Sequence, residues 1–483
     1  MSYLGRQLNV PASTVELTAE GAITAGKPCI VEADGDIAQV AAITQAVGTP
    51  VVFESGNTAY IDSAYDSNAQ KVVIAYQDIG NSSYGTAVVG TVDPSDNSIS
   101  FGTPVVYESA NASWTAMTYD SNAQKVAIAY MDNGNSNYGT GIVGTVSGTS
   151  ISFGSASVFE SARADNITAT FDSSNNKVVF SYQDDGNSGY GTSVVGTISG
   201  TSISFGTPVV FESASVEFID STFDSSNNKV VIVYQDEGNS SHGTAIVGTV
   251  SGTSISFGSA AVFESADTRD INVAYDSNAQ KAVIAYRDVG NSQYGTAIVG
   301  TVSGTDITFG TAAVFATSAS EYNGIAYDAS AQKVVIAYAD TGSSYHGKAV
   351  AGTVSGTSIT FGSIVTYESA TTYYHRPVYD SNAERVVIPY TDSGNSDYGT
   401  AAVFRSASTN LTSENFIGFA ENDCTDNGLA TIQLGGSVND KQTSLTAGQT
   451  YFVQTDGTIG TTADSPSVTA GTAVSSTEIL VKG

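Results

Sequence analysis

From about Val51 to Phe404, short apolar runs alternate with polar turn clusters in a fixed order. Four runs make one unit. The first ends in Tyr-Asp or Phe-Asp, as in Ile61-Asp62-Ser63-Ala64-Tyr65-Asp66. The second is Lys71-Val72-Val73-Ile74-Ala75-Tyr76, and the third is Gly85-Thr86-Ala87-Val88-Val89-Gly90-Thr91-Val92. The fourth extends from Ile99-Ser100-Phe101 through Val105-Val106-Tyr107-Glu108. β-Branched and aromatic residues dominate all four, as a pleated, half-buried surface requires. Between them stand Asp-Ser-Asn-Ala-Gln, Asp-x-Gly-Asn-Ser and Ser-Gly-Thr-Ser, whose residues tolerate left-handed backbone or cap their own turns. No stretch of about ten residues carries helical periodicity.

The unit recurs. A Tyr, then Asp two residues on and Gly two further, stands at Tyr76/Asp78/Gly80 and again at Tyr130, Tyr182, Tyr234, Tyr286, Tyr338 and Tyr390. The first step is 54 residues and every later one 52. Four antiparallel strands in a repeat of this size indicate an all-β, seven-bladed propeller over residues 45–404. After Thr400-Ala401-Ala402-Val403-Phe404 the fourth run is missing, and its counterpart stands before the first unit as Val47-Gly48-Thr49-Pro50-Val51-Val52-Phe53-Glu54-Ser55. The N-terminal strand is therefore expected to close the last blade, leaving no free edge. The flanks, 1–44 and 405–483, resemble each other. Thr24-Ala25-Gly26, Asp34-Gly35-Asp36-Ile37 and Thr446-Ala447-Gly448, Asp456-Gly457-Thr458-Ile459 share their internal spacing. They are expected to form one small β domain from both chain ends.

Composition narrows the function. Of 483 residues, 47 are acidic and 17 basic, for a net charge of −30. A phosphate backbone needs Lys and Arg clusters, so nucleic acid is not an expected partner. No apolar run is long enough to span a membrane. The first residues, Met1 to Arg6, do not read as a secretory signal. Cys29 and Cys424 are too few for a disulfide scaffold. They read as two free thiols or as one bridge between the ends. No Cys/His cluster suggests zinc.

Candidate chemistry is sparse. The Asp-x-Gly-Asn-Ser loop lacks the ligand density of a dedicated calcium site, so its Asp reads as a turn cap. The Glu of Phe-Glu-Ser (Glu54, Glu108, Glu160, Glu212, Glu264, Glu368; Ala316 in one unit) reads as a solvated outer-strand residue. His242 and His346 replace a repeated Tyr. No nucleophile elbow or phosphate loop is present. The expectation is no catalytic residue, no metal and no cofactor. Variation among the repeats concentrates just before the first strand of each blade, five residues ahead of its terminal Tyr or Phe, at Tyr60, Trp114, Asn166, Phe218, Asp270, Tyr322 and Tyr374, with Arg269, Glu321, Tyr373, His375 and Arg376 beside them. Loops on a rigid scaffold collect binding diversity, and aromatic residues offer flat apolar area with a polar edge. Tyr60, Trp114, Phe218, Arg269, Tyr322, Tyr373, Tyr374 and His375 are the expected ligand-binding set. Packing within the channel is the competing role.

The repeat from Val195 to Ser213 resembles repeats in virion proteins of tailed phages, those of cyanobacterial phages above all. The segments Leu445–Gly457 and Ser476–Gly483 look like a terminal module of phage fibre and decoration proteins. Val15-Glu16-Leu17-Thr18 with Ile23-Thr24-Ala25-Gly26 is similar to small capsid-decoration proteins. The resemblance implies a non-enzymatic, fibre-type virion protein, assembled in the host cytoplasm. Its propeller would display a receptor-binding face for a host-surface glycan or protein. Its terminal domain would hold other virion proteins, and homo-oligomers are possible. The alternatives are a decoration or tail-assembly protein that binds only virion partners, and a glycan-processing enzyme.

Overall fold

The computed structural model describes residues 13–482. Strand dominates, and helix among the described residues is confined to seven three-residue 3-10 turns, the first at Ile79–Asn81. The chain divides into two compact units. One holds residues 46–406; the other joins the residues up to 45 with those from 407 onward.

In the larger unit each repeat runs through strands Val51–Asp66, Lys71–Asp78, Tyr84–Asp93 and Ser98–Phe101, or their equivalents. The sequence pattern divides what the structure joins. The end of one repeat and the start of the next form a single 16-residue strand, as in Val105–Asp120. Its first half pairs with Tyr84–Asp93 behind it, and its second half with Lys125–Asp132 ahead. Hydrogen bonding therefore passes from each repeat to the next without a break. At the seam Ala401 lies opposite Val51, Thr400 opposite Val52 and Phe404 opposite Val47, so the antiparallel strands close into a large ring.

The runs that lack alternation are buried on both faces. Val72 to Tyr76 are all inaccessible, as are Val126 to Tyr130. Turn chemistry follows the sequence: Asp66 Oδ1 accepts from Asn68 and Ala69 N–H, and Asp78 Oδ1 accepts from Asn81 N–H at 3.0 Å. The Gly of the Phe-Gly pair has a steric cause in every copy but the last, Phe361-Gly362. A side chain at Gly102 would occupy the position of the Thr149 carbonyl on the next repeat's turn. The repeated Glu is not simply solvated, which corrects the sequence expectation. Glu54 accepts a hydrogen bond from the buried Tyr76 hydroxyl at 2.9 Å, and Glu108 one from Tyr130 at 3.0 Å. A buried hydroxyl needs a partner, and the outer strand supplies it. Where Ala316 replaces Glu, Lys348 replaces the usual Thr and its ammonium pairs with Asp340.

The smaller unit holds two five-stranded sheets of one topology. The first runs Thr14–Thr18, Leu429–Gln433, Phe416–Ala420, Pro28–Val31, Ile37–Gln39. The second runs Val438–Asn439, Ile479–Val481, Val468–Ala473, Thr450–Val453, Ile459–Gly460. Both carry a register shift at the same place, Cys29/Ile30 and Tyr451/Phe452. The matched flank sequences are thus the equivalent hairpins of two sheets. Only the first sheet draws on both chain ends. Cys29 and Cys424 meet in one apolar cluster with both thiols free.

Candidate functional site

Each long strand carries one residue too many for its partner. Ala59 lies opposite Gln77 but Asp62 opposite Ala75, so the intervening segment bulges. The same shift recurs at Ser113/Ala116, Asp165/Thr168, Glu217/Asp220, Arg269/Asn272 and Glu321/Gly324. A bulge re-aims a side chain out of the ladder. Here it sets Tyr60, Trp114, Asn166, Phe218, Asp270, Tyr322 and Tyr374 in left-handed backbone, with φ from 47° to 56°. Asn and Asp visit that region readily; Tyr, Trp and Phe do so only under constraint, at roughly 1–3 kcal/mol each.

All seven residues line one cavity of about 260 Å³. Four aromatic rings form a continuous arc. Trp114 lies 5.1 Å from Tyr60, Tyr60 5.6 Å from Tyr374, and Tyr374 5.4 Å from Tyr322, centroid to centroid. Beside Trp114, Asp165 pairs with Arg163 at 2.8 Å. Two polar members brace their neighbours. Asn166 Oδ1 accepts from Phe218 N–H at 3.3 Å, and Asp270 Oδ1 from Tyr322 N–H at 3.0 Å.

Charge gathers around and beneath this cup. Arg287 bridges Asp270 (2.9 Å) and Glu321 (2.8 Å) on one wall. In the floor Arg376 Nη1 donates to Asn272 Oδ1 at 2.7 Å. Arg376 also lines a second cavity of about 130 Å³ together with Asp62 and Asp220. Burial pushes the Asp62 carboxyl up to about 6, with Arg376 opposing the shift. Burial likewise raises Asp220 against the same guanidinium. Both carboxylates tie neighbouring repeats together: Asp62 Oδ2 accepts Met117 N–H at 2.6 Å and Asp220 Oδ2 accepts Val273 N–H at 2.8 Å. Their remaining oxygens take Ser63 N–H and the Thr168 hydroxyl.

Five of the expected ligand-binding residues, Tyr60, Trp114, Phe218, Tyr322 and Tyr374, line the cavity, and three do not. His375 is wholly buried, its Nδ1 against the Tyr322 carbonyl and its Nε2 against the Thr372 hydroxyl, both at 2.9 Å. Burial holds its imidazole down to about 4, a neutral structural residue. Arg269 points outward and pairs with Asp267 at 2.9 Å. Tyr373 supports Tyr322 edge-on at 5.2 Å. Sequence reading missed Asn272, Asn323, Asp62 and Asp220. Asp62, Asn272 and Asp220 share one repeat position, two beyond the bulged residue, where the units also differ. Among the described residues no cluster of three or more His, Cys, Asp or Glu could hold a metal.

No protein-family model matches this chain, and no curated protein matches it. Solved structures match at the scale of the ring. One is a protein of unknown function from Dyadobacter fermentans, 11% identical, covering 76% of this chain and 99% of its own, with a TM-score of 0.46. The leech intramolecular trans-sialidase, in complex with 2,7-anhydro-Neu5Ac, is 8% identical over 74% of this chain and 69% of its own, TM-score 0.44. The periplasmic gluconolactonase of Pseudomonas aeruginosa is 9% identical over 74% and 98%, TM-score 0.46. These findings correct the expectation of a non-enzymatic virion protein: the similar folds are enzymes and a bacterial protein of unknown function, and that reading is withdrawn.

Proposed function

We propose that the ring is a seven-bladed β-propeller whose channel mouth is a binding site for a small organic ligand. The observation that carries this reading is convergence. Every repeat bends its backbone into the left-handed region at the same position, and all seven bent residues face one cavity. Strain repeated in this way is expected where side chains must be presented rather than packed. Aromatic walls with a few convergent polar groups are the usual lining of a small-molecule pocket.

Trp114 is the only tryptophan in the chain and lies in the cavity wall, so its emission reports on this site alone. A fragment library is titrated against the full-length protein while Trp114 emission is followed, with Tyr374→Ala as the control. Bound fragments should shift or quench the emission, and the shift should weaken at least about tenfold in the variant, as loss of a stacking partner implies. The reading fails if no fragment changes the emission, or if the changes persist undiminished in Tyr374→Ala.

A further inference from the structure

We infer that Arg376 sets the ligand specificity of the aromatic cavity: its side chain is a crossbar that closes the cavity from beneath and confines it to short, uncharged ligands. The inference rests on the pocket reading above and deepens it.

The crossbar arises from one position of the repeat. Two residues beyond the bent position the first six repeats carry only short side chains, Asp62, Ala116, Thr168, Asp220, Asn272 and Gly324, and the seventh carries Arg376. Arg376 reaches past its neighbouring repeat. Its Nη1 donates to Asn272 Oδ1 of the fifth repeat at 2.7 Å and to the Asn323 carbonyl of the sixth at 3.4 Å. Asn272 Nδ2 donates to the same carbonyl at 2.6 Å, so the two side chains are latched to one main-chain group. Gly324 makes the room: a Cβ there would meet the carbonyl of His375, on the backbone that carries Arg376.

The place of this bridge follows from the two cavities. The aromatic cavity of about 260 Å³ and the polar one of about 130 Å³ adjoin, for Thr115, Ile167 and Ile219 line both. Of the residues at the crossbar position, only Asn272 and Arg376 line both cavities, and these two are bonded to each other. Their bridge is the partition. Without the Arg376 side chain the two cavities would run into one longer space.

Charge fixes the class of ligand. Among the described residues only Asp270 and Arg376 are charged members of the aromatic lining, and protein groups answer both. Asp270 pairs with Arg287 at 2.9 Å. Arg376 shares the polar cavity with Asp62 and Asp220, and its positive charge opposes the burial that raises both carboxyls. A charged ligand would find no unanswered partner in this lining, and burying an unpaired charge is costly. The aromatic rings and the belt of Ile61, Ile167, Ile219 and Ile271 reward apolar area instead.

The test titrates straight-chain alcohols, 1-butanol to 1-octanol, against the full-length protein, with Trp114 emission and calorimetry as readouts. In the wild-type protein affinity should rise about fourfold per methylene and then level off where the chain meets the crossbar. In Arg376→Ala, shown folded by circular dichroism, the rise should continue for about two further methylenes, a gain of at least about tenfold over the wild-type limit. Arg376→Gln, shorter than arginine but still able to donate to Asn272, should move the limit less, and it carries the same test should Arg376→Ala not fold. Butylammonium and butanoate should each bind the wild-type protein at least about tenfold more weakly than 1-butanol. Affinity that climbs without a limit in the wild-type protein overturns the inference whichever variant folds. So does a limit that stays unchanged in the folded variants, and so does either ion binding as tightly as 1-butanol. In each of these cases the pocket itself stands. Failure of alcohols and fragments alike removes the pocket and the crossbar together.

Discussion

At the scale of single residues the wall of the aromatic cavity reverses ordinary preference. In most strands glycine is less stable than alanine, because it forfeits more conformational freedom on folding. At position 114 the backbone sits at φ 51°, where a Cβ is itself the penalty. Trp114→Gly should therefore be more stable than Trp114→Ala by about 1 kcal/mol. Urea midpoints of the two variants measure this directly, both having lost the same indole packing. If alanine proves the more stable, the bulged geometry is wrong at this position and the convergence of the seven residues loses its cause. This left-handed geometry was not legible in the sequence, since Tyr, Trp and Phe are among the last residues one would assign to it. What the sequence did show was its consequence: seven positions in register that vary while the flanking turns stay constant.

At the scale of elements the last repeat is the exception. Its long strand is interrupted: Val365–Tyr373 and Val378–Asp380 are separate, with His375, Arg376 and Pro377 between them. Pro377 has no N–H for a ladder, and the diverted backbone passes where a side chain at Gly324 would have to sit. The diversion carries Arg376 to the lining of both cavities and His375 into the interior. Repeat alignment alone places His375 beside the aromatic residues and cannot reveal that it turns inward. The pH dependence of stability follows from that burial. His375 is held down to about 4 from an ordinary 6.5, so between these values the unfolded chain binds the proton and the folded protein does not. Its contribution is complete above pH 6.5 and is lost as pH falls toward 4. At 1.36 kcal/mol per unit the loss is on the order of 3 kcal/mol. His375→Gln cannot take up that proton, so the stability gap between wild type and variant should move in the variant's favour by this amount on acidification from pH 7 to pH 4. Urea denaturation at a series of pH values checks it; a constant gap would mean that the imidazole is solvated. The repeated Glu was misread for a related reason. Strand alternation assigns a side, whereas the Tyr hydroxyl that Glu54 accepts lies across the strand pairing and 22 residues away.

At the scale of the whole ring, one seam differs from the others in its history rather than its geometry. Val52 lies opposite Thr400 as Val158 lies opposite Thr140, in the same register and beside the same bulge. Within the chain, residues 140 and 158 are joined by a short hairpin, so a broken ladder there re-forms locally. Residues 52 and 400 are held together only by contacts, across nearly the whole repeat array. The entropy of closing a loop grows with the logarithm of its length, so the closing seam rests on more unfavourable entropy than any internal one. Proline at either valine removes the backbone donor and restricts the strand. Val52→Pro should therefore lower the urea midpoint further than Val158→Pro, by roughly 2 kcal/mol when converted through the common slope. It should also free the edge of Tyr398–Arg405, whose unpaired groups invite another chain. Light scattering should then rise with protein concentration for Val52→Pro and not for Val158→Pro. Equal midpoints and equal scattering would show that the ring does not depend on its N-terminal strand for closure, and the seven bulged residues would lose the scaffold that brings them to one cavity.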